Sequence, residues 1–172
     1  MGKSLIIKGA DFSENGVYKT VENWFLLLGT QYGHLKSSSP TNNSGSAAWS
    51  FSDGNNALIQ GKTINQIRFY PADAGEFKIF VLDSRSSALG DPVATITVAS
   101  GDVGNFTKYE FSDIQVGNNQ YLAFVEPSQT VRMYYAVKSG ESFYKRCGFN
   151  DASVVSGYQL LIDVGYKGII IG

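Results

Sequence analysis

Hydrophobic and polar residues alternate with a period of two along much of the chain, which predicts many short β-strands. The pattern is clearest from Gly61 to Asp83, where two β-rich runs flank the connector Pro71-Ala72-Asp73-Ala74-Gly75. We predict a β-hairpin here, with this connector as its turn. The second run becomes apolar on both faces towards Leu82, so we expect that strand to lie centrally in a sheet.

Further strand signals follow the predicted hairpin at intervals of about 10 to 15 residues. In the run 131–138, the pattern predicts an inward face of Val131, Met133, Tyr135 and Val137, and an outward face of Arg132, Tyr134, Ala136 and Lys138. No long helical pattern separates the strands, which argues against a parallel α/β sheet. The predicted fold is all-β, an antiparallel two-sheet sandwich of jelly-roll-like arrangement. Its predicted core contains Phe77, Ile79, Leu122, Phe124 and Leu160.

The segment from Lys36 to Ser46 is rich in Ser, Asn, Pro and Gly, so it is the best linker candidate. It divides the chain into an N-terminal arm with linker, residues 1–46, and a β-sandwich domain, residues 47–172. Residues 17–28 fit either a strand pair or a short helix. They end in an apolar cluster, Trp24, Phe25, Leu26, Leu27 and Leu28. This cluster must be buried on the main domain or in an interface with another copy or another protein.

Composition narrows the class of protein. A hydrophobic content of 43% with 17% charged residues is typical of a folded domain. The net charge is −1 without a basic block, which disfavours a nucleic-acid partner. The single cysteine, Cys147, allows no intramolecular disulfide. No apolar run approaches membrane-spanning length, and the N-terminus lacks the pattern of a signal peptide, so we expect a soluble product made in a cytoplasm.

Candidate catalytic and metal-binding residues are few. His34 is the only histidine, so the chain cannot build a multi-histidine zinc site, and no Gly-x-Ser-x-Gly motif supports a catalytic triad. The segment from Gly54 to Thr63 departs from a phosphate-binding loop in its glycine spacing and in the strand that follows it. Five aspartates near strand ends could serve a glycosidase or a calcium ion, but they are better explained as turn residues: Asp73, Asp83, Asp91, Asp102 and Asp113. We expect a non-enzymatic protein that binds no cofactor and no metal ion.

Exposed aromatic residues give the most useful functional signal. Tyr134 lies on the predicted outward face with Arg132 and Lys138, and Tyr70 is a looser candidate, as are Trp49 and Tyr144. A flat ring beside hydrogen-bond donors is what sugar binding requires, because the ring stacks on the apolar face of a sugar. We therefore predict a ligand site at Arg132, Tyr134, Lys138 and Tyr70. The alternative is that these rings cover the second sheet or form a subunit interface.

Several segments resemble known proteins. The opening run from Lys3 to Ser13 is similar to the start of many proteins from gut Bacteroidetes and their phages, including crAss-like phages. The later runs Gly61–Ile64, Gly75–Val81, Ala94–Val98 and Tyr121–Phe124 resemble β-sandwich domains of the same groups. Those domains occur in phage tail or head-fibre proteins and beside sugar-ester hydrolases. The Gly-Asp-Ser-Leu motif of the hydrolases does not occur here.

The resemblance implies a non-enzymatic structural or adhesion protein of a phage virion. The alternative is a carbohydrate-binding module at a bacterial surface. Fibre-like proteins are often three-fold, so we expect a homotrimer that contacts other virion proteins and a cell-surface glycan. The resemblance implies a location in the virion, with the bacterial surface or the cytoplasm as alternatives.

Overall fold

The computed structural model describes residues 6–7, 18–41, 47–126, 131–147 and 153–171. Eleven strands lie in this described part: β1 Ile6–Ile7, β2 Tyr18–Leu27, β3 Ala47–Phe51, β4 Thr63–Phe69, β5 Gly75–Leu82, β6 Ala94–Val98, β7 Thr107–Gln115, β8 Tyr121–Glu126, β9 Tyr135–Cys147, β10 Ser153–Leu160 and β11 Asp163–Ile171. It also contains two short helices, α1 Leu28–Tyr32 and α2 Asp53–Ala57, and 3-10 turns at Gly33–Leu35 and Ser100–Asp102.

The strands form two antiparallel sheets that pack against each other, as the sequence predicts. The first sheet has the order β2-β11-β4-β7, and β1 pairs with the far end of β11. The second sheet has the order β10-β9-β3-β8-β5-β6. Their inner faces bury one continuous hydrophobic core.

Strand pairing is nested, which gives the jelly-roll arrangement. β5 pairs with β6, β4 with β7, β3 with β8 and β2 with β11, so each outer pair encloses the next one along the chain. Nested antiparallel pairs that are distributed over two packed sheets define a jelly roll. The β9–β10 hairpin is inserted between β8 and β11 and extends the second sheet beyond β3.

The predicted hairpin over residues 61–83 is wrong, because β4 and β5 belong to different sheets. The connector crosses from one sheet to the other, and Pro71 pairs with Met133 on the way. Phe69 and Phe77 then stack across the core with their centroids 4.4 Å apart. β5 does lie between two neighbours, β8 and β6, as its two apolar faces predict.

The predicted N-terminal arm is also corrected. β2 pairs with β11 from Tyr18 to Leu27, so it is a strand of the sandwich itself. The predicted linker region continues this association, since Ser37 N donates to Tyr135 O at 2.8 Å and Thr41 N donates to Met133 O at 2.9 Å. Residues 18–41 are therefore part of the domain, while residues 42–46 and most of 1–17 lie outside the described ranges.

Two predicted strands have different limits in the structure. The alternation of Tyr158, Leu160, Ile162, Val164 and Tyr166 predicts one strand, but the structure divides this run, because residues 161–162 carry the chain from β10 in one sheet to β11 in the other. In the run 131–138, regular strand structure begins only at Tyr135. From there on, the inward and outward faces do not follow the predicted alternation. Ala136, which forms a β-bridge with Lys36, is buried, whereas Val137 is 61% exposed.

All five residues predicted for the core, Phe77, Ile79, Leu122, Phe124 and Leu160, are fully buried. Phe124 lies at the centre of an aromatic group. Its ring stacks on Phe77 at 5.6 Å and meets the ring of Phe51 edge-on at 5.5 Å. The inward faces of β3, β5 and β8 thus interlock within the second sheet.

Candidate ligand-binding site

Of the four residues predicted to bind a ligand, the structure brings Tyr70 and Tyr134 together and pairs Arg132 with an acidic residue. Arg132 is held by Asp73, whose carboxylate accepts hydrogen bonds from Arg132 Nε at 2.7 Å and from Nη2 at 2.8 Å. The backbone N–H of Arg132 donates to the same carboxylate at 3.1 Å. These donors are therefore committed within the chain, where they join the β4–β5 connector to the segment before β9.

The Asp73–Arg132 pair makes stability depend on pH. The hydrogen bond from Arg132 lowers the pKa of Asp73 below its ordinary value of 3.8, although partial burial opposes the shift. Because the pKa in the folded state is lower than in the unfolded state, the pair stabilises the protein above about pH 4 and loses this contribution as the pH falls further. We expect Asp73→Asn to reduce the slope of stability against pH below pH 4, measured by urea unfolding. An unchanged acid slope would contradict this assignment.

Tyr70 and Tyr134 do come together, at one end of the sandwich. Tyr134 N donates to Tyr70 O at 3.0 Å, which places the two residues side by side. The ammonium of Lys36 lies 4.5 Å from the ring centroid of Tyr134 and 5.2 Å from that of Tyr70. A sugar that stacked on this pair would compete with Lys36 for the ring faces.

These residues belong to a longer aromatic–cation row, which we define as Trp24, Arg68, Phe106, Tyr70, Lys36 and Tyr134. Phe106 stacks on Tyr70 with centroids 4.7 Å apart. The guanidinium of Arg68 lies 5.4 Å from the Phe106 ring and 3.9 Å from the Trp24 ring. The row therefore joins β2, the end of β4 and the start of β7 to the segment that follows α1.

Two glycines let the α1 region approach this row closely. A Cβ atom at Gly29 would lie 2.5 Å from the Phe106 ring, and one at Gly33 would lie 2.7 Å from the Tyr70 hydroxyl. The backbone thus packs directly on Phe106 and Tyr70. The aromatic–cation row is a packed junction, which explains its rings without a ligand.

The remaining predicted residues have other neighbours. Lys138 lies 6.0 Å from the ring centroid of Tyr32, which donates to Glu141 at 3.3 Å. In the predicted interface cluster, Leu26 and Leu28 are buried in the chain's own core, and Phe25 packs against that core. Leu27 is 40% exposed, and Trp24 stacks on Arg68. Only part of this cluster is thus free to contact another molecule.

A different concave site lies on the β9–β10 extension, and we call it the aromatic pocket. It has a volume of about 270 Å³ and is lined by Pro40, Thr41, Trp49, Tyr135, Phe143, Lys145, Val155 and Tyr158. The strand pairings place its lining in one patch, because Trp49 is opposite Lys145 and Val155 is opposite Phe143. Pro40 and Thr41, which precede β3 in the chain, form one side of the pocket.

The aromatic pocket combines rings with one cation. Trp49 packs against Phe143 with centroids 5.3 Å apart, and Tyr135 meets Tyr158 edge-on at 5.2 Å. The ammonium of Lys145 lies 4.9 Å from the Trp49 ring centroid. Trp49 is a buried member of the hydrophobic core, and its indole N–H has no hydrogen-bond partner within the described ranges. Rings, hydroxyls and a cation in one concavity suit a small polar ligand with an apolar face.

Three of the carboxylates considered for a metal or a glycosidase have hydrogen-bond partners within the chain. Asp73 pairs with Arg132, Asp102 accepts from the Tyr109 hydroxyl, and Asp83 accepts from Gln120. Within the described part of the chain, no group of three or more His, Cys, Asp or Glu side chains could hold a metal ion. In the same residues, no helix has the length and hydrophobicity needed to cross a membrane.

Of the residues that line the aromatic pocket, only Trp49 is a binding candidate from the sequence alone. Tyr158 and Tyr135 have the alternation of ordinary core positions, and Lys145 has that of a surface lysine. The available signal was the concentration of tyrosines in the last third of the chain, which does not show which rings meet. No protein-family model, no curated protein and no solved structure matches this chain.

Proposed function

We propose that the protein is a non-enzymatic adhesion protein of the fibre or appendage type in the virion of a Bacteroidetes phage, and that it holds a saccharide in the aromatic pocket. The resemblance of its strand segments to fibre domains supports the virion role. The jelly-roll architecture is compatible with it, because viral capsid and lectin domains use this architecture.

The observation that carries the proposal is the convergence of four aromatic side chains with Lys145 in one concave site. Sugars present apolar C–H faces and hydroxyl rims, which match ring faces and nearby hydroxyl or ammonium groups. The predicted ligand site at Arg132 and Tyr134 suits a sugar less well, because Arg132 is paired with Asp73 and the ring of Tyr134 is in contact with Lys36.

One such site would bind weakly, with a dissociation constant on the order of millimolar. Several copies held together would raise the effective affinity through avidity, so the proposal includes a homo-oligomer, with a trimer as its simplest form. The trimer rests on the resemblance to fibre proteins, since Leu26 and Leu28 of the predicted interface lie in the chain's own core. The same pocket would also suit a carbohydrate-binding module at a bacterial surface, and labelling of virions and cells with an antibody separates the two locations.

A glycan array that compares Tyr158→Ala with Tyr134→Ala tests the site. We expect Tyr158→Ala to abolish detectable binding, because it removes a ring that lines the pocket. Tyr134→Ala is the matched control, since the same atoms are removed outside the pocket, and it should retain binding. Loss of binding in the Tyr134 variant alone, or no glycan bound by the wild type, would contradict the proposal.

A further inference from the structure

We propose that the saccharide bound in the aromatic pocket is a single acidic sugar unit, whose carboxylate pairs with Lys145. This inference rests on the proposed function and specifies the chemical class of its ligand. It follows from the charge, the free hydroxyls and the size of the pocket.

Lys145 supplies positive charge that the described residues do not neutralise. Its ammonium lies over the Trp49 ring, and no carboxylate of the described ranges lies within ion-pair distance of it. In contrast, Lys78, Lys108 and Lys167 each pair with a glutamate. The cation–π contact keeps the charge at the pocket wall, where a ligand carboxylate would form a charge-assisted hydrogen bond.

The two tyrosines at the pocket supply groups for sugar hydroxyls. Neither Tyr135 nor Tyr158 makes a side-chain hydrogen bond to any other described residue, so both hydroxyls can donate to and accept from a ligand. Their edge-on contact at 5.2 Å sets the two ring planes nearly at right angles, at 82°. A sugar can therefore lie against one ring while its hydroxyls reach the other.

The size of the pocket limits the ligand. A volume of about 270 Å³ lies just below the usual lower limit for small-molecule sites, roughly 300 Å³. It suits one sugar ring with its carboxylate better than a bound oligosaccharide. The rest of a longer glycan would extend from the pocket into solvent.

The test uses methyl glycosides in matched pairs, in which a uronic acid carboxylate replaces the hydroxymethyl group of glucose, galactose or mannose. Titrations followed by NMR on the full chain measure the dissociation constants at low salt. We expect at least one uronide to bind about tenfold more tightly than its neutral partner, because a hydrogen bond to a charged group is worth more than a neutral one. Added salt should reduce that preference.

Three variants locate the preference. Lys145→Met keeps the length of the side chain without its charge and should equalise the two members of a pair. Lys145→Arg restores the charge and should restore the preference. Lys138→Met is the control, because Lys138 lies on the same strand beside Tyr32 and does not line the pocket.

The possible results separate the inference from the proposed function. Equal binding of uronides and neutral glycosides by the wild type would overturn the acidic ligand and leave saccharide binding intact. A preference that survives Lys145→Met would overturn the role of Lys145. Binding of none of the six glycosides would overturn both the inference and the proposed saccharide site.

Discussion

Replacing Phe124 by alanine is expected to lower the free energy of unfolding by about 3–5 kcal/mol. Phe124 is fully buried and contacts two other buried rings, Phe51 and Phe77. The variant would lose the burial of its own ring and leave a cavity between these neighbours. In a domain of this size, the melting temperature should fall by on the order of 10 °C.

Chemical denaturation of the wild type and the variant measures this loss. Leu58→Ala is the control, because Leu58 is 52% exposed and its truncation should change stability by less than about 0.5 kcal/mol. Near-native stability of the Phe124 variant would show that β8 does not pack as described. A large loss in both variants would indicate a core that differs from the one described here.

Replacing Asp163 by alanine is expected to cost about 2–3 kcal/mol, because it removes a buried carboxylate that accepts three hydrogen bonds, one of them from a charged guanidinium. Asp163 is fully buried, at the start of β11. Its carboxylate accepts from Thr30 N at 3.0 Å, Thr30 Oγ1 at 2.5 Å and Arg68 Nη2 at 2.9 Å. It therefore connects α1 and β4 to β11, and it holds Arg68 beside the Trp24 ring.

An exposed ion pair provides the comparison. Glu76 pairs with Lys78 at 3.8 Å, and its side chain is 59% exposed. Glu76→Ala should therefore change stability by no more than about 1 kcal/mol. If urea unfolding shows the same small effect for Asp163→Ala, then Asp163 does not organise this end of the sandwich.

The fold could be predicted at the level of strands because alternation is a local property of the sequence. It marked the buried residues Phe77, Ile79, Leu122, Phe124 and Leu160, and it indicated two packed sheets. The order of the strands could not be predicted in the same way. In a jelly roll, β4 and β5 face each other across the core, whereas in a hairpin they would be neighbours, and either arrangement buries the same residues.

The N-terminal region was mispredicted for a related reason. A Ser/Asn-rich segment is typical of a linker. The backbone N–H and C=O groups of such residues can nevertheless form hydrogen bonds with a strand, as those of any other residue can. Here Ser37 and Thr41 pair with Tyr135 and Met133. Recognition of β2 as a strand of the sandwich required its partner β11, which lies more than a hundred residues later in the chain.

The candidate site depends on convergence that the sequence does not show. Trp49 comes from β3, Tyr135 and Lys145 from β9, and Tyr158 from β10. Each is an ordinary strand residue by pattern, and only the insertion of the β9–β10 hairpin beside β3 brings them together. The sequence predicts that the side chain of Arg132 faces outward. Its pairing with Asp73, however, depends on the β4–β5 connector that crosses between the sheets.

A crystal structure of the protein soaked with the preferred methyl uronide tests the central claim most directly. We predict that the sugar ring lies in the aromatic pocket against Tyr158, with its carboxylate within hydrogen-bond distance of Lys145. A sugar found instead on Tyr70 and Tyr134, with the aromatic pocket empty, would contradict the account.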